Sequence, residues 1–499
     1  MVSDVHGALT AQAELLDALL SPDPPPPRRA WPYVVVALVL VAAALAAGVW
    51  AVARGGGQSG PPHPSAWDPR VQKYVDFVEK KRELKFEHPV YVDFLSDAEF
   101  KKQVTTDPAE LSDDDKEEID QFTGMLRALG LLEGDVDLFD KANELHGAAV
   151  IGYYSYDDER LRIRGTTITP AVESTIVHEL THALQDQNFD LGKRFEQLDK
   201  ADDADSSSAS SGFDALVEGD ARRIETQWRD SLSDADRAAL DKEQTAGVQG
   251  FDDQAKDIPD AMVTMLEAPY DLGEALLAVA VEQGGDHAVD DLFRSPPKTD
   301  EQQLDPWTLV ADHQGFLTVP KPKLPDGVKP FDDGAFGSVG WLMVLAERLP
   351  VEQALTAVDG WGGDSYAAYE QDGVSCVALN WRGDTADDLT EMKKALTAWV
   401  AKGPKGAASL TKDDQTLALS SCDPGKDSAS VASGRSMDAL ELALSRTYLS
   451  LQLVKGHMAV PIARCASDRL VRTFTRAELN DPKLDRDRVL RAMLPCREA

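Results

Sequence analysis

Apolar and polar positions divide the chain into segments of different period. Met1–Ala30 is a short tail in which Leu9–Leu20 has a brief amphipathic pattern, stopped by Pro24–Pro27 and followed by Arg28 and Arg29. Tyr33–Ala53 is then a continuous apolar run, with Trp31, Tyr33 and Trp50 near its ends; at about 21 residues it has the length needed to cross a bilayer. Two arginines precede it and only Arg54 follows closely, so the positive-inside rule predicts an uncleaved anchor with its amino end in the cytoplasm. The expectation is a cytoplasmic tail over 1–30, a transmembrane helix over 31–54 as a single-pass cell-membrane anchor, and an extracytoplasmic region from 55 onward. Gly55–Pro64, rich in glycine and proline, reads as part of a linker over 55–65.

From Ala66 the period becomes helical and then, over Lys85–Leu95, alternating; Pro89 places this strand at an edge or near its start. Asp97–Gly130 is largely helical, and 66–130 is expected to be a small α/β unit that packs on the core domain or acts as a prodomain. Ala148–Gly165 has two alternating runs meeting at Asp157-Asp158, a β-hairpin pattern. Pro170 after Thr169 marks a helix start, and Val172, Ile176, Leu180, Ala183 and Leu184 form an apolar stripe along that helix. Gly212–Trp228 is a second amphipathic helix, after a serine-rich loop at Ser206–Ser211. Helices are expected at Asp260–Glu267, Leu272–Gly284 and Phe336–Leu349, and a loop at Pro296–Pro306. The domains expected are a core over 131–235, a helical subdomain over 236–407, a polar linker over 408–435 that holds Cys422, and a helical module over 436–499. The fold class is α+β and mostly helical.

The chemistry lies on the first of the two amphipathic helices. His178-Glu179-Leu180-Thr181-His182 has the H-E-x-x-H pattern, which stacks two imidazoles at i and i+4 on one helix face where both can bind one metal ion. Zinc suits the pair: a catalytic zinc takes three protein ligands and a water, and Glu179 is placed to accept that water's proton. Gln185 and Asn188 stand where a metzincin has glycine and histidine, which excludes that class. The best third ligand is Glu218 on the Gly212–Trp228 helix, with Glu225 and Asp214 as rivals. For Glu218 the plain structural role is an i to i+4 pair with Arg222. His146 is a weak candidate for accessory ligand or proton donor, and His287 and His313 for stabilising an oxyanion.

Composition narrows the partners. Net charge is −35, which argues against nucleic acid, and 43% hydrophobic residues over 499 suffice for two or three domains with cores. The four cysteines, Cys376, Cys422, Cys465 and Cys496, lack metal-site spacing. As an even number they suit disulfides in an exported region, with three connectivities possible. Order along the chain favours Cys376 with Cys422 and Cys465 with Cys496.

The chain resembles gluzincin-type zinc metallopeptidases, and more narrowly a bacterial group of membrane-anchored proteases that carry HELTHALQDQ. The resemblance runs from about Val150 to about Val400. It is carried by Gly152-Tyr153-Tyr154, His178–Asn188, Leu216–Ala221, Pro269-Tyr270, Pro296–Pro306, Gly360–Asp364 and Trp381–Thr385. It implies a zincin-like domain with a hairpin or small sheet before the active helix, the hairpin forming the rim of a cleft. It also implies His178, His182 and Glu218 as zinc ligands and Glu179 as general base. The chain departs from the group at Asp305, where such sequences often have histidine before Pro306. The expected function is hydrolysis of a protein or peptide substrate by zinc-activated water. The alternatives are a non-catalytic binding or envelope-assembly protein on the same scaffold and, less favoured, hydrolysis of a non-peptide amide.

Overall fold

A computed structural model describes residues 61–498, apart from 200–203, 256–257, 313, 414, 429–431, 480 and 482–483. Two sheets are set among helices. The first has order β1-β3-β2: β1 (Tyr91–Leu95) runs parallel to β3 (Arg160–Arg164), and β2 (Gly152–Ser155) runs antiparallel to it. β2 and β3 are the hairpin that alternation predicts, and the turn between them puts Glu159 in the left-handed region at φ 50°. The second sheet has five antiparallel strands in the order β4-β5-β6-β8-β7, spanning Pro330–Gly334, Trp361–Gln371, Val374–Gly383, Thr416–Cys422 and Ala408–Asp413.

One core joins the helix Gln72–Arg82, through Tyr74, Val75 and Val78, to Leu161 and Ile163 of the small sheet and to Ile176, Val177, Leu180 and Leu184 of the helix Pro170–Phe189. The 66–130 stretch is thus packed, at its beginning, against the small sheet and the helix Pro170–Phe189. Its later helix, Asp113–Ala128, belongs to a second and larger core, and Arg127 pairs with Asp423 at 2.7 Å beyond the second sheet. That larger core also takes Ala439, Leu440, Ala443 and Leu444 of the helix Ser436–Lys455, so the C-terminal helices are built into the molecule.

Two carboxylates inside this core organise the helix Gly337–Ala346. Asp300 accepts from the Ser338 and Val339 amides at 3.0 Å, and Asp364 from the Phe336 and Gly337 amides at 2.6 and 2.9 Å. They satisfy the orphan donors of a buried helix start. Gly337 is at φ 77°, and a Cβ there would lie 2.2 Å from the Asp300 carboxylate, so glycine is required on both counts.

Several expectations are corrected. The fold is mixed helix and strand with two sheets, rather than mostly helical with one small sheet. Within the stretch read as linker, Ala408–Asp413 and Thr416–Cys422 form β7 and β8, and the edge strand β7 is polar and mostly exposed, which gives it the composition of a loop. The Ser206–Ser211 loop is absorbed into a longer helix, Ala204–Ser231. The tail over 1–30 and the anchor over 31–54 fall outside the described residues, and among the described residues no helix is long and apolar enough to cross a membrane. The membrane-spanning helix is therefore removed from the fold class, and the single-pass localisation that rested on it is withdrawn. Cys376–Cys422 and Cys465–Cys496 are disulfides, the first joining β6 to β8.

Candidate metal centre

The helix Pro170–Phe189 starts as its sequence requires: Thr169 accepts from the Val172 amide and Pro170 occupies the first turn. It ends at Asp190, whose left-handed φ of 55° stops the ladder. From Ala171 to Gln185 every side chain except Glu173 is buried, so this part of the helix has almost no water-facing side. Its polar line, Ser174, His178, His182 and Gln185, must therefore find partners inside the protein.

The helix Ala204–Ser231 crosses it and supplies them. His178 Nε2 and His182 Nε2 are 3.1 Å apart, and Glu218 Oε2 lies 3.3 Å from the first and 3.4 Å from the second. These three buried residues form a group that could hold a metal ion. Glu218 Oε2 has no hydrogen-bond partner, which is the state expected of a ligand atom and is costly for any other buried carboxylate oxygen. The spacing also fits: bonds of about 2.0–2.1 Å at a tetrahedral angle put donor atoms about 3.3–3.4 Å apart.

Each histidine is braced from behind. Glu225 Oε2 lies 3.4 Å from His178 Nδ1, and its other oxygen accepts from the Ser174 hydroxyl at 2.7 Å. Gln185 Oε1 is 3.1 Å from His182 Nδ1, while its amide donates to Asp220 at 2.9 Å. Asp220 is fully buried and accepts from Arg82 at 2.8 Å, so the Gln72–Arg82 helix reaches the centre through two side chains. Such outer partners set which ring nitrogen faces the metal. The Glu218 helix is itself fixed by a glycine crossing. A Cβ on Gly273 of the helix Asp260–Gly284 would lie 1.9 Å from the Ala215 carbonyl oxygen, so no larger residue permits this approach.

Glu179 points to the small sheet, where Oε2 accepts from the Tyr154 amide of β2 at 2.8 Å. Burial raises its pKa against the opposing pull of His178 and His182, the direction a general base near neutrality needs. Asp214, one turn before Glu218, has a buried oxygen with no hydrogen-bond partner, and burial followed by the Glu218 charge pushes it up to about 8. Although burial alone would lower both histidines, Glu218 draws both upward, helped at His178 by Glu225. Buried Glu179, Glu218, Glu225 and Asp214 outnumber two imidazoles, so the cluster needs protons or a cation.

The rivals are thus separated: Glu218 faces both Nε2 atoms, Glu225 stands behind His178, and Arg222 reaches Asp271 and Glu274 at 3.7 and 3.8 Å. His146 is buried with Val104 as its backbone partner, His287 is exposed, and His313 lies outside the described residues. Asp305 accepts from the Trp307 amide at 3.2 Å and pairs with Arg464 at 2.7 Å, a wholly structural use. Tyr153 bonds Gln103 and Tyr154 bonds Asp186, at 2.9 and 3.0 Å. Sequence reasoning misses the bracing role of Gln185 and Arg82, and places Tyr270 only within a matching run. The Tyr270 ring centroid is 6.1 Å from that of His178. Gln185, three residues after His182 on one helix face, carries a usable signal; Arg82 carries none.

A family model described as Domain of unknown function (DUF8575) matches residues 328–439, well under half of the chain and outside the metal group; it covers the second sheet. No curated protein and no solved structure matches the chain.

Proposed function

We propose that this protein is a zinc-dependent metallopeptidase of gluzincin type, with His178, His182 and Glu218 as ligands and Glu179 as general base. The observation that carries the reading is the triangle of donor atoms, 3.1, 3.3 and 3.4 Å on its sides, with an unbonded carboxylate oxygen at one corner. Two nitrogens and one oxygen suit zinc, and the H-E-x-x-H spacing supports the same choice. Zinc held there supplies a Lewis acid and lowers the pKa of a bound water to about 7.

The remaining work belongs to the chain. Glu225 and Gln185 hold the outer nitrogens of His178 and His182 and so present Nε2 of each ring to the centre. The Tyr154 amide fixes Glu179 Oε2, leaving the carboxylate to take the proton of the attacking water and return it to the leaving amine. The substrate is a peptide bond in a protein or peptide.

A second reading, a metal-stabilised scaffold without catalysis, is favoured by burial: His178, Glu179, His182 and Glu218 are only 4, 7, 5 and 2% exposed. Glu179→Gln separates the two. In zinc-loaded protein it should leave metal content at wild-type level and lower cleavage of an unfolded casein substrate by about 10²- to 10⁴-fold. Wild type that binds zinc but cleaves nothing establishes the scaffold reading, and a variant that cleaves unchanged removes Glu179 from the mechanism.

A further inference from the structure

A cavity of about 410 Å³ lies where the second-sheet region meets the C-terminal helices, and shares no residue with the metal centre. That volume falls within the range of small-ligand sites. Its basic side chains are all answered. Arg446 pairs with Asp359 at 2.7 Å, Arg472 with Asp468 at 2.6 Å and Asp359 at 2.8 Å, and Arg464 with Asp305 at 2.7 Å and Asp312 at 2.6 Å.

Two further carboxyl groups line the same space and are not answered. Asp384 accepts from the Gln314 side-chain amide and has no cation beside it among the described residues. Glu301 is 5% exposed, and its buried Oε2 makes no hydrogen bond. A carboxyl group that lines a cavity and keeps a buried oxygen without a hydrogen bond has acceptor capacity for a donor the chain does not supply. Burial, and after it the charges of Asp384, Asp305 and Asp300, pushes Glu301 up to about 9, so without a ligand it holds a proton at neutral pH.

We propose that this cavity binds a ligand through a primary ammonium group, held between Glu301 and Asp384. A metal ion is disfavoured, since among the described residues the metal-ligating groups that converge on one point are His178, His182 and Glu218. A free anion is disfavoured because every arginine already has its carboxylate. The ammonium belongs either to a small amine or to a lysine side chain of a peptide, and the ligand displaces the Glu301 proton to solvent.

The test is calorimetric titration of the full-length protein with n-butylammonium, with a Gly-Lys-Gly peptide blocked at both ends, and with its norleucine counterpart. The expected result is one-to-one binding of an ammonium probe, release of about one proton per ligand at neutral pH, and no binding of the norleucine peptide. Glu301→Gln should weaken binding by about tenfold or more and abolish the proton release. Asp384→Asn, at a more exposed position, should also weaken it and keeps the test open if the first variant does not fold. Binding of butylammonium alone identifies a small amine; binding of both ammonium probes identifies a site open to lysine in a chain. Equal binding of the norleucine peptide, no heat with either ammonium probe at millimolar concentration, or unchanged affinity in both variants would overturn the proposal.

Discussion

Asp364 and Glu218 are both buried carboxylates, one in the second-sheet region and one in the metal region, and the chain treats them differently. Asp364 accepts from two backbone amides and from the indoles of Trp341 and Trp361 at 2.9 and 2.8 Å. Glu218 presents an oxygen with no hydrogen bond to two imidazoles. A carboxylate saturated by donors is cemented into the fold, and its removal strands those donors. A carboxylate left short of donors keeps its capacity for something the polypeptide lacks. The difference distinguishes an acid that holds a helix in place from one whose group could hold a cation, although exposure is low for both.

The contrast is broken most severely at Asp364. Asp364→Ala leaves four buried donors unpaired and is expected to cost on the order of 4 kcal/mol in denaturant unfolding. The folded fraction should still bind one zinc per chain; a small loss would mean that water replaces the carboxylate. The next effect is one of pH. Burial lowers His146 to about 4 against about 6.5 in the unfolded chain. The folded state thus binds fewer protons, and stability is lost as pH falls from about 6.5 toward 4, by about 3 kcal/mol in all. His146→Leu should remove that part of the pH slope, and an identical slope in both proteins would show that the ring charges freely.

On the metal side, Gln185→Met removes the partner of His182 Nδ1. Zinc affinity, measured by competition with a chelator, should fall about 10- to 100-fold. The smallest effect on stability is predicted at Glu218 itself. Glu218→Gln should abolish tight zinc binding, yet change the stability of metal-free protein by only about 1 kcal/mol or improve it. A large loss in metal-free protein would make Glu218 a structural acid like Asp364 and erase the distinction.

Much of the metal helix could be read directly. The i to i+4 histidines, the Thr169-Pro170 start and the apolar stripe are local properties of an α-helix, and the helix is found at Pro170–Phe189. The hairpin turn before it was also legible. The second sheet was less so, although Asp372-Gly373 between two long runs is a hairpin signal, and both residues have positive φ there, 54° and 76°. Its remaining strands pair residues far apart in sequence, such as Cys376 with Cys422, and β7 is mostly exposed and polar.

The order of residues alone carries local information: which residues share a face, where a helix begins, and that two histidines can meet one ion. It favoured Glu218 but did not eliminate Asp214 and Glu225, because at offsets of four and seven residues all three fall on one stripe of the same helix. Tertiary structure made that choice by packing the helix Ala204–Ser231 against Pro170–Phe189, while Gly219 and Gly273 let the helix Asp260–Gly284 approach the Glu218 helix closely. Glu218 was thereby brought to the imidazole Nε2 atoms and Glu225 behind His178. The physical reason is range: hydrogen-bond ladders and side-chain period act over a few residues, whereas the position of a ligand depends on which surfaces are buried together.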